Sequence, residues 1–275
     1  MHPYLDGPRP RAYAHRGWHV GELAGMENSL VALRRAAAEG YEYLETDVHA
    51  TADGVVVVLH DSTLDRTTDG RGPVAAQPWA AVRTARINGA DPICRLEDVL
   101  EELPSVRVNI DVKSDQAVSA VLDVLRRTGA WDRVCLASFS ERRLTRLRAA
   151  GGARLLTSYG PRSAVALRVR SWVSPAPPTP RQRPTPWSGA RTRLLIRSAP
   201  GPLAQLPRRR GRLTVVDPAL LRYARLAGIE VHVWTVDTAS EMTELLDLGV
   251  DGLVTDRPDV LRAVLRDRGA WPGSR

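Results

Sequence analysis

Strand-length apolar runs alternate with helically spaced ones along most of this chain, and the first three strand-like runs all end on histidines or carboxylates. Tyr13-Ala14-His15-Arg16-Gly17 closes the first, Leu44-Glu45-Thr46-Asp47 the second, and the valine run from Val55 closes the third at His60-Asp61. Strands alternating with helices at this spacing predict parallel βαβ units, and about eight of them predict an α/β fold closed as a (β/α)8 TIM-type barrel. In such folds the polar groups at the carboxyl ends of neighbouring strands converge on one face, where the chemistry is done. Residues 12 to 61 are therefore the expected heart of an active site.

A length of 275 residues suits one barrel, so residues 1–275 are expected to form a single domain. After the first strand, Asn28 or Ser29 can cap a helix bearing Leu30, Leu33 and Ala37. Residues 62–92 lack periodicity and are rich in Thr, Gly, Pro and Arg, which predicts a small loop-rich insertion after the third strand. Val106 to Val112 reads as a strand that places Asn109, Asp111 and Lys113 on one side. Further extended runs are expected at 134–138, 155–158, 213–216, 229–236 and 250–255. That makes nine candidates, so one must lie outside the barrel. Residues 168–203, dominated by Arg, Pro, Ser, Thr and Ala, are expected to build no core-facing helix or strand. They read as a solvated linker, or as the product of two compensating reading-frame shifts in the gene or its sequencing.

The net charge of +8 comes from one segment. Residues 161–216 hold twelve of the 39 basic residues and no acidic one, which leaves 27 basic against 31 acidic elsewhere. A nucleic-acid partner is therefore not expected. Cys94 and Cys135 lie far apart without metal-type spacing and are expected to be core residues. No apolar run approaches the length of a membrane span and the amino terminus carries no leader pattern, so a cytoplasmic protein is expected. Nothing in the sequence speaks to oligomeric state.

The motifs resemble those of the glycerophosphodiester phosphodiesterase family. They are His15-Arg16-Gly17, Met26-Glu27-Asn28-Ser29, Glu45-Thr46-Asp47, Thr51-Ala52-Asp53-Gly54, His60-Asp61 and Arg66-Thr67-Thr68-Asp69-Gly70, with Asn109-Ile110-Asp111-Val112-Lys113, Ser138-Phe139, Trp234-Thr235-Val236 and Thr255-Asp256 further on. The resemblance covers residues 12–160 and 204–265. Met26 replaces a proline of the pattern, Ser29 a threonine, and Asp111 the usual glutamate. The resemblance implies that a hydroxyl of the glycerol attacks phosphorus to give a cyclic phosphate, which water then opens.

The residues support the same chemistry on their own. Cleaving a phosphodiester takes a base, an acid, and positive charge on the non-bridging oxygens. His15 and His60 can be the acid and base near neutral pH. Glu45, Asp47 and Asp111 are hard oxygen donors suited to one Mg²⁺ or Ca²⁺, and Arg16 and Lys113, the chain's single lysine, can hold the phosphate. Glu27 and Asn28 either cap the first helix or support the site. Trp234 is either a platform for the glycerol or a core residue. His19, His49 and His232 are placed outside the chemistry. The competing readings are a phospholipase-type lipid phosphodiesterase and a non-catalytic protein that binds anions or nucleic acid through the basic segment.

Overall fold

Thirteen strands are present in the computed structural model, which describes residues 2–173 and 201–271. In chain order they are β1 (Arg11–His15), β2 (Tyr43–Ala50), β3 (Val56–Val58), β4 (Arg86–Ile87), β5 (Asp91–Pro92), β6 (Arg107–Val112), β7 (Val134–Ala137), β8 (Leu156–Thr157), β9 (Leu203–Pro207), β10 (Arg209–Arg210), β11 (Leu213–Thr214), β12 (Glu230–Trp234) and β13 (Gly252–Thr255). Eight of them run parallel in the order β8-β7-β6-β2-β1-β13-β12-β9. The end strands approach each other: a Cβ built on Gly201, just before β9, would stand 3.4 Å from the carbonyl oxygen of Thr157 in β8. The result is a nearly closed barrel. One helix follows each barrel strand, namely Leu30–Ala38, Leu96–Glu102, Ala117–Thr128, Glu141–Gly151, Pro161–Val173, Pro218–Leu226, Ala239–Leu248 and Pro258–Asp267. Their apolar stripes bury Leu33, Val99, Leu122, Leu144, Leu220, Met242 and Leu261 against the outside of the sheet.

Two of the nine expected strands lie outside the barrel. Val56–Val58 pairs antiparallel with the end of β2, because the turn at Thr51–Val55 is too short for a parallel crossover, which takes a dozen or more residues. Thr51 closes that turn by accepting the Val55 N–H at 3.0 Å and donating to Asp53. Leu213–Thr214 forms a separate hairpin with Arg209–Arg210. The barrel strand left unread is Leu203–Pro207, which pairs along its whole length with β12. Residues 62–92 do form the expected insertion. They gather Leu64, Val74, Val82, Ala85 and Ile87 into a small second core over β3.

At the edges of 168–203 the expectation of no core-facing element fails as well. The helix Pro161–Val173 continues through Arg168, whose guanidinium forks onto Asp217 at 2.8 and 2.6 Å while Leu167 is buried. A bidentate ion pair thus does there what an apolar period does elsewhere. The rest of that expectation, linker or frame error, falls on 174–200, outside the described residues. Cys94 and Cys135 are buried and unpaired, as expected. No helix among the described residues is long and apolar enough to cross a membrane.

The amino-terminal end of the barrel is closed by a buried ion pair. Arg11 points inward from β1 and donates to Glu230 of β12 at 2.7 and 2.9 Å, to the Tyr43 hydroxyl at 2.8 Å, and to the carbonyls of Gly7 and Leu5. His232 meets the same carboxylate at 3.3 Å. Replacing Arg11 with Met would leave Glu230 with the half-exposed Arg9 as its one remaining arginine partner, and urea titration should show a loss of up to about 3–5 kcal/mol. Burial alone would raise the Glu230 carboxyl, but the hydrogen bonds from His232 and Arg11 bring it down to about 2. Its stabilisation is therefore full above the ordinary carboxylate range and is lost as pH falls toward 2. In Arg11→Met that part of the acid dependence of the melting temperature should shrink, because His232 and Arg9 still face the carboxylate.

Candidate active site

Gly17 holds the first histidine loop in place. Its φ is +85°, and a Cβ there would stand 2.8 Å from the backbone carbon of Ala32, so only glycine lets the loop pass over the helix Leu30–Ala38. That contact sets His15 at the carboxyl end of β1. Its Nδ1 lies 2.6 Å from Oδ1 of Asp256, just past β13, and its Nε2 lies 3.6 Å from Oε2 of Glu45. Burial would lower the His15 pKa, but Glu45 and Asp256 outweigh it and the net shift is upward. His60, beyond β3, is arranged alike: Nδ1 lies 2.7 Å from Oδ1 of Asp61.

The carboxylates come from two adjacent strands. Asp47 of β2 is in register with Asp111 of β6, and Glu45 with Asn109, so all of them sit at one end of the sheet. Lys113 spans the pair, with Nζ 2.8 Å from Asp47 and 2.7 Å from Asp111. Burial, and then the neighbouring Asp47, push the Glu45 carboxyl up to about 8. Burial would raise Asp47 too, but Lys113 and Arg16 hold it below the usual range. Asp111 is raised, chiefly by burial.

Arg16 and Asn28 both take left-handed backbone, with φ of +56° and +61°. The helix cap is Ser29, which accepts the Ala32 N–H at 3.1 Å. Asn28 instead serves the carboxylates, donating to Asp47 at 2.9 Å and accepting from Thr46 at 2.7 Å. Glu27 accepts from Arg16 at 2.9 Å, while Arg16 Nε lies 3.1 Å from Asp47. Trp234 ends β12 partly buried and meets Phe139 edge to face at 5.4 Å; Phe139 is 63 % exposed and lies 5.6 Å from the Lys113 ammonium.

The model of the glycerophosphoryl diester phosphodiesterase family matches residues 15–260. The chain belongs to that family. The Mycobacterium tuberculosis protein named "Probable glycerophosphodiester phosphodiesterase 2" is 40 % identical over 263 residues, 96 % of this chain and 93 % of its own length. A glycerophosphodiester phosphodiesterase of Caldanaerobacter subterraneus is 25 % identical across 91 % of this chain and 97 % of its own. The crystal structure of the Agrobacterium tumefaciens glycerophosphodiester phosphodiesterase superposes with a TM-score of 0.71 at 25 % identity, covering 93 % of this chain and 99 % of that one.

In this phosphodiesterase barrel, three residues beyond those read from the sequence reach the site. Asp256 holds His15: β1 and β13 are in register at Ala14 and Thr255, which sets His15 and Asp256 side by side, and the signal in the sequence was that Thr255-Asp256 closes the last strand-like run. His19, placed outside the chemistry by the sequence reading, lies 3.2 Å from the same Asp256 oxygen. Arg66 of the insertion contacts both Asp61 and Glu27. His49 supports the backbone of His60, and His232 lies at the far end of the barrel.

Among the described residues no three His, Cys, Asp or Glu side chains stand together closely enough to hold a metal ion, and Lys113 bridges Asp47 and Asp111 instead. The donor set still fits a hard cation. Three buried carboxylates face two cationic side chains, Glu45 is reluctant to ionise, and Asp111 Oδ1 and Asn109 Oδ1 are buried acceptors without a hydrogen-bond partner.

Proposed function

We propose that this chain hydrolyses glycerophosphodiesters to sn-glycerol 3-phosphate and an alcohol, with His15 and His60 as the acid–base pair. The observation that carries the reading is the symmetry of the two histidines. Each has Nδ1 held by a carboxylate, which leaves Nε2 to handle a proton. His15 lies against Glu45, and His60 follows Leu59, whose N–H donates to the Asp47 carbonyl at 3.0 Å, so both histidines come to the strand that carries Glu45 and Asp47.

In the first step one imidazole takes the proton of the attacking glycerol hydroxyl, and the other gives a proton to the departing alcohol oxygen as its bond to phosphorus breaks. The cyclic phosphate is then opened by water with the two roles exchanged. Arg16 and Lys113 neutralise the non-bridging oxygens, and Trp234 with Phe139 offers an apolar wall to the glycerol carbons. Glu45, Asp47 and Asp111 would hold one Mg²⁺ or Ca²⁺, which when bound supplies further positive charge to the phosphate oxygens.

Purified protein should release sn-glycerol 3-phosphate from a panel of glycerophosphodiesters that differ in the alcohol, with either cation present. Release from none of them, or turnover of intact phospholipids alone, would end this reading.

A further inference from the structure

Arg66 is where the two sides of the site meet. It enters from the insertion, 48 % of its side chain is exposed, and its guanidinium makes two forks. Nε and Nη2 donate to the two oxygens of Asp61 at 2.6 and 3.0 Å, while Nη2 and Nη1 donate to the two oxygens of Glu27 at 2.8 and 3.2 Å. Asp61 in turn holds Nδ1 of His60 at 2.7 Å, and Oε1 of Glu27 receives Nη1 of Arg16 at 2.9 Å. One planar cation therefore ties the histidine on one side of the site to the arginine on the other, through a carboxylate each way.

We propose that Arg66 is a positioning residue that fixes His60 and Arg16 relative to each other, so that proton transfer and phosphate binding are set by one side chain. The inference rests on the roles given above to those two residues. A half-exposed ion pair contributes little to stability, so the fold has little use for this arrangement. Its value lies in orientation, since His60 is otherwise a partly exposed side chain on a loop. Only arginine can serve both carboxylates at once, because lysine is a compact point charge without a fork. Without a cation here, Asp61 and Glu27 would repel each other and drag His60 and Arg16 apart.

Arg66→Ala should lower kcat/KM by about tenfold to a hundredfold, the usual penalty for a misplaced catalytic group. The loss should be divided between kcat, through His60, and KM, through Arg16, while the melting temperature hardly moves. Guanidinium ion at millimolar concentration should restore part of the activity, and ammonium at the same ionic strength should not. Arg66→Lys should resemble the alanine variant. A kcat/KM within about twofold of the parent in Arg66→Ala, or full recovery in Arg66→Lys, overturns the proposal. If the alanine variant does not fold, the lysine variant decides alone by the same criterion. His60→Ala separates the two levels of inference: an inactive His60→Ala beside a fully active Arg66→Ala sinks only the role of Arg66, whereas an active His60→Ala sinks both.

Discussion

His15→Ala and His60→Ala should each lower kcat by about 10² to 10⁴, the range for losing a general acid or base. Neither change should unfold the barrel, because both side chains sit at strand or loop ends on its open face and neither belongs to a hydrophobic cluster. The two losses should not add, since the histidines act on one substrate within one proton cycle. KM should move less than kcat, because the phosphate is assigned to Arg16 and Lys113. Turnover of soluble glycerophosphodiesters, read beside circular dichroism, checks this; two folded variants with near-parental kcat would remove the acid–base assignment. The neighbours that hold Nδ1 extend the test. Asp256→Asn would leave Glu45 as the main charge that keeps the His15 pKa up and would remove the carboxylate that orients its ring, and should lower kcat while leaving phosphate affinity alone.

Most of the site was legible because its residues sit at strand ends, where the alternation of side chains fixes the direction each one faces. Glu45 and Asp47, two apart on β2, necessarily share a face, and so do Asn109, Asp111 and Lys113. The role of Asn28 was not legible. Capping and carboxylate support both use a short polar side chain just before a helix, and only the +61° φ, which turns Asn28 inward and leaves the cap to Ser29, separates them. The orientation of β3 could have been read, since five residues from Thr51 to Val55 cannot carry a parallel crossover. β9 was harder. Leu203–Pro207 holds only two leucines and an alanine, interrupted by Gln205 and closed by a proline, and arginine-rich text flanks it. Its place is defined by pairing with β12, a long-range fact with no local signature. Arg66 was visible as part of a motif, but the two carboxylates it joins are 5 and 39 residues away, and nothing in the sequence pairs the more distant one.

Chelation should abolish activity, and Mg²⁺ or Ca²⁺ should restore it, if Glu45, Asp47 and Asp111 share one ion. The physical case is the balance of charge. Three ionised carboxylates in a buried pocket repel one another, and the protein answers by raising Glu45 and Asp111 and by laying Lys113 across Asp47 and Asp111. A divalent cation answers the same need more fully and would release Lys113 for the phosphate. Lys113 and the ion then compete for the same two carboxylates, which gives a result that activity alone cannot: Lys113→Met should bind the cation more tightly than the parent while turning over substrate far more slowly. Binding can be read without substrate from the rise in melting temperature on adding the cation, which approaches about 2.7 kcal/mol of stabilisation at a hundredfold excess over Kd. The affinity should also climb as pH rises toward about 8, because Glu45 must lose its proton to become a ligand. Asp111→Glu should keep or improve cation binding, since it restores the longer side chain of the family pattern at a position whose Oδ1 has no partner to lose. Full activity in EDTA, with no cation-dependent rise in melting temperature for parent or Lys113→Met, would mean that the lysine alone satisfies the carboxylates and that phosphate charge is met by Arg16 and Lys113 without a metal.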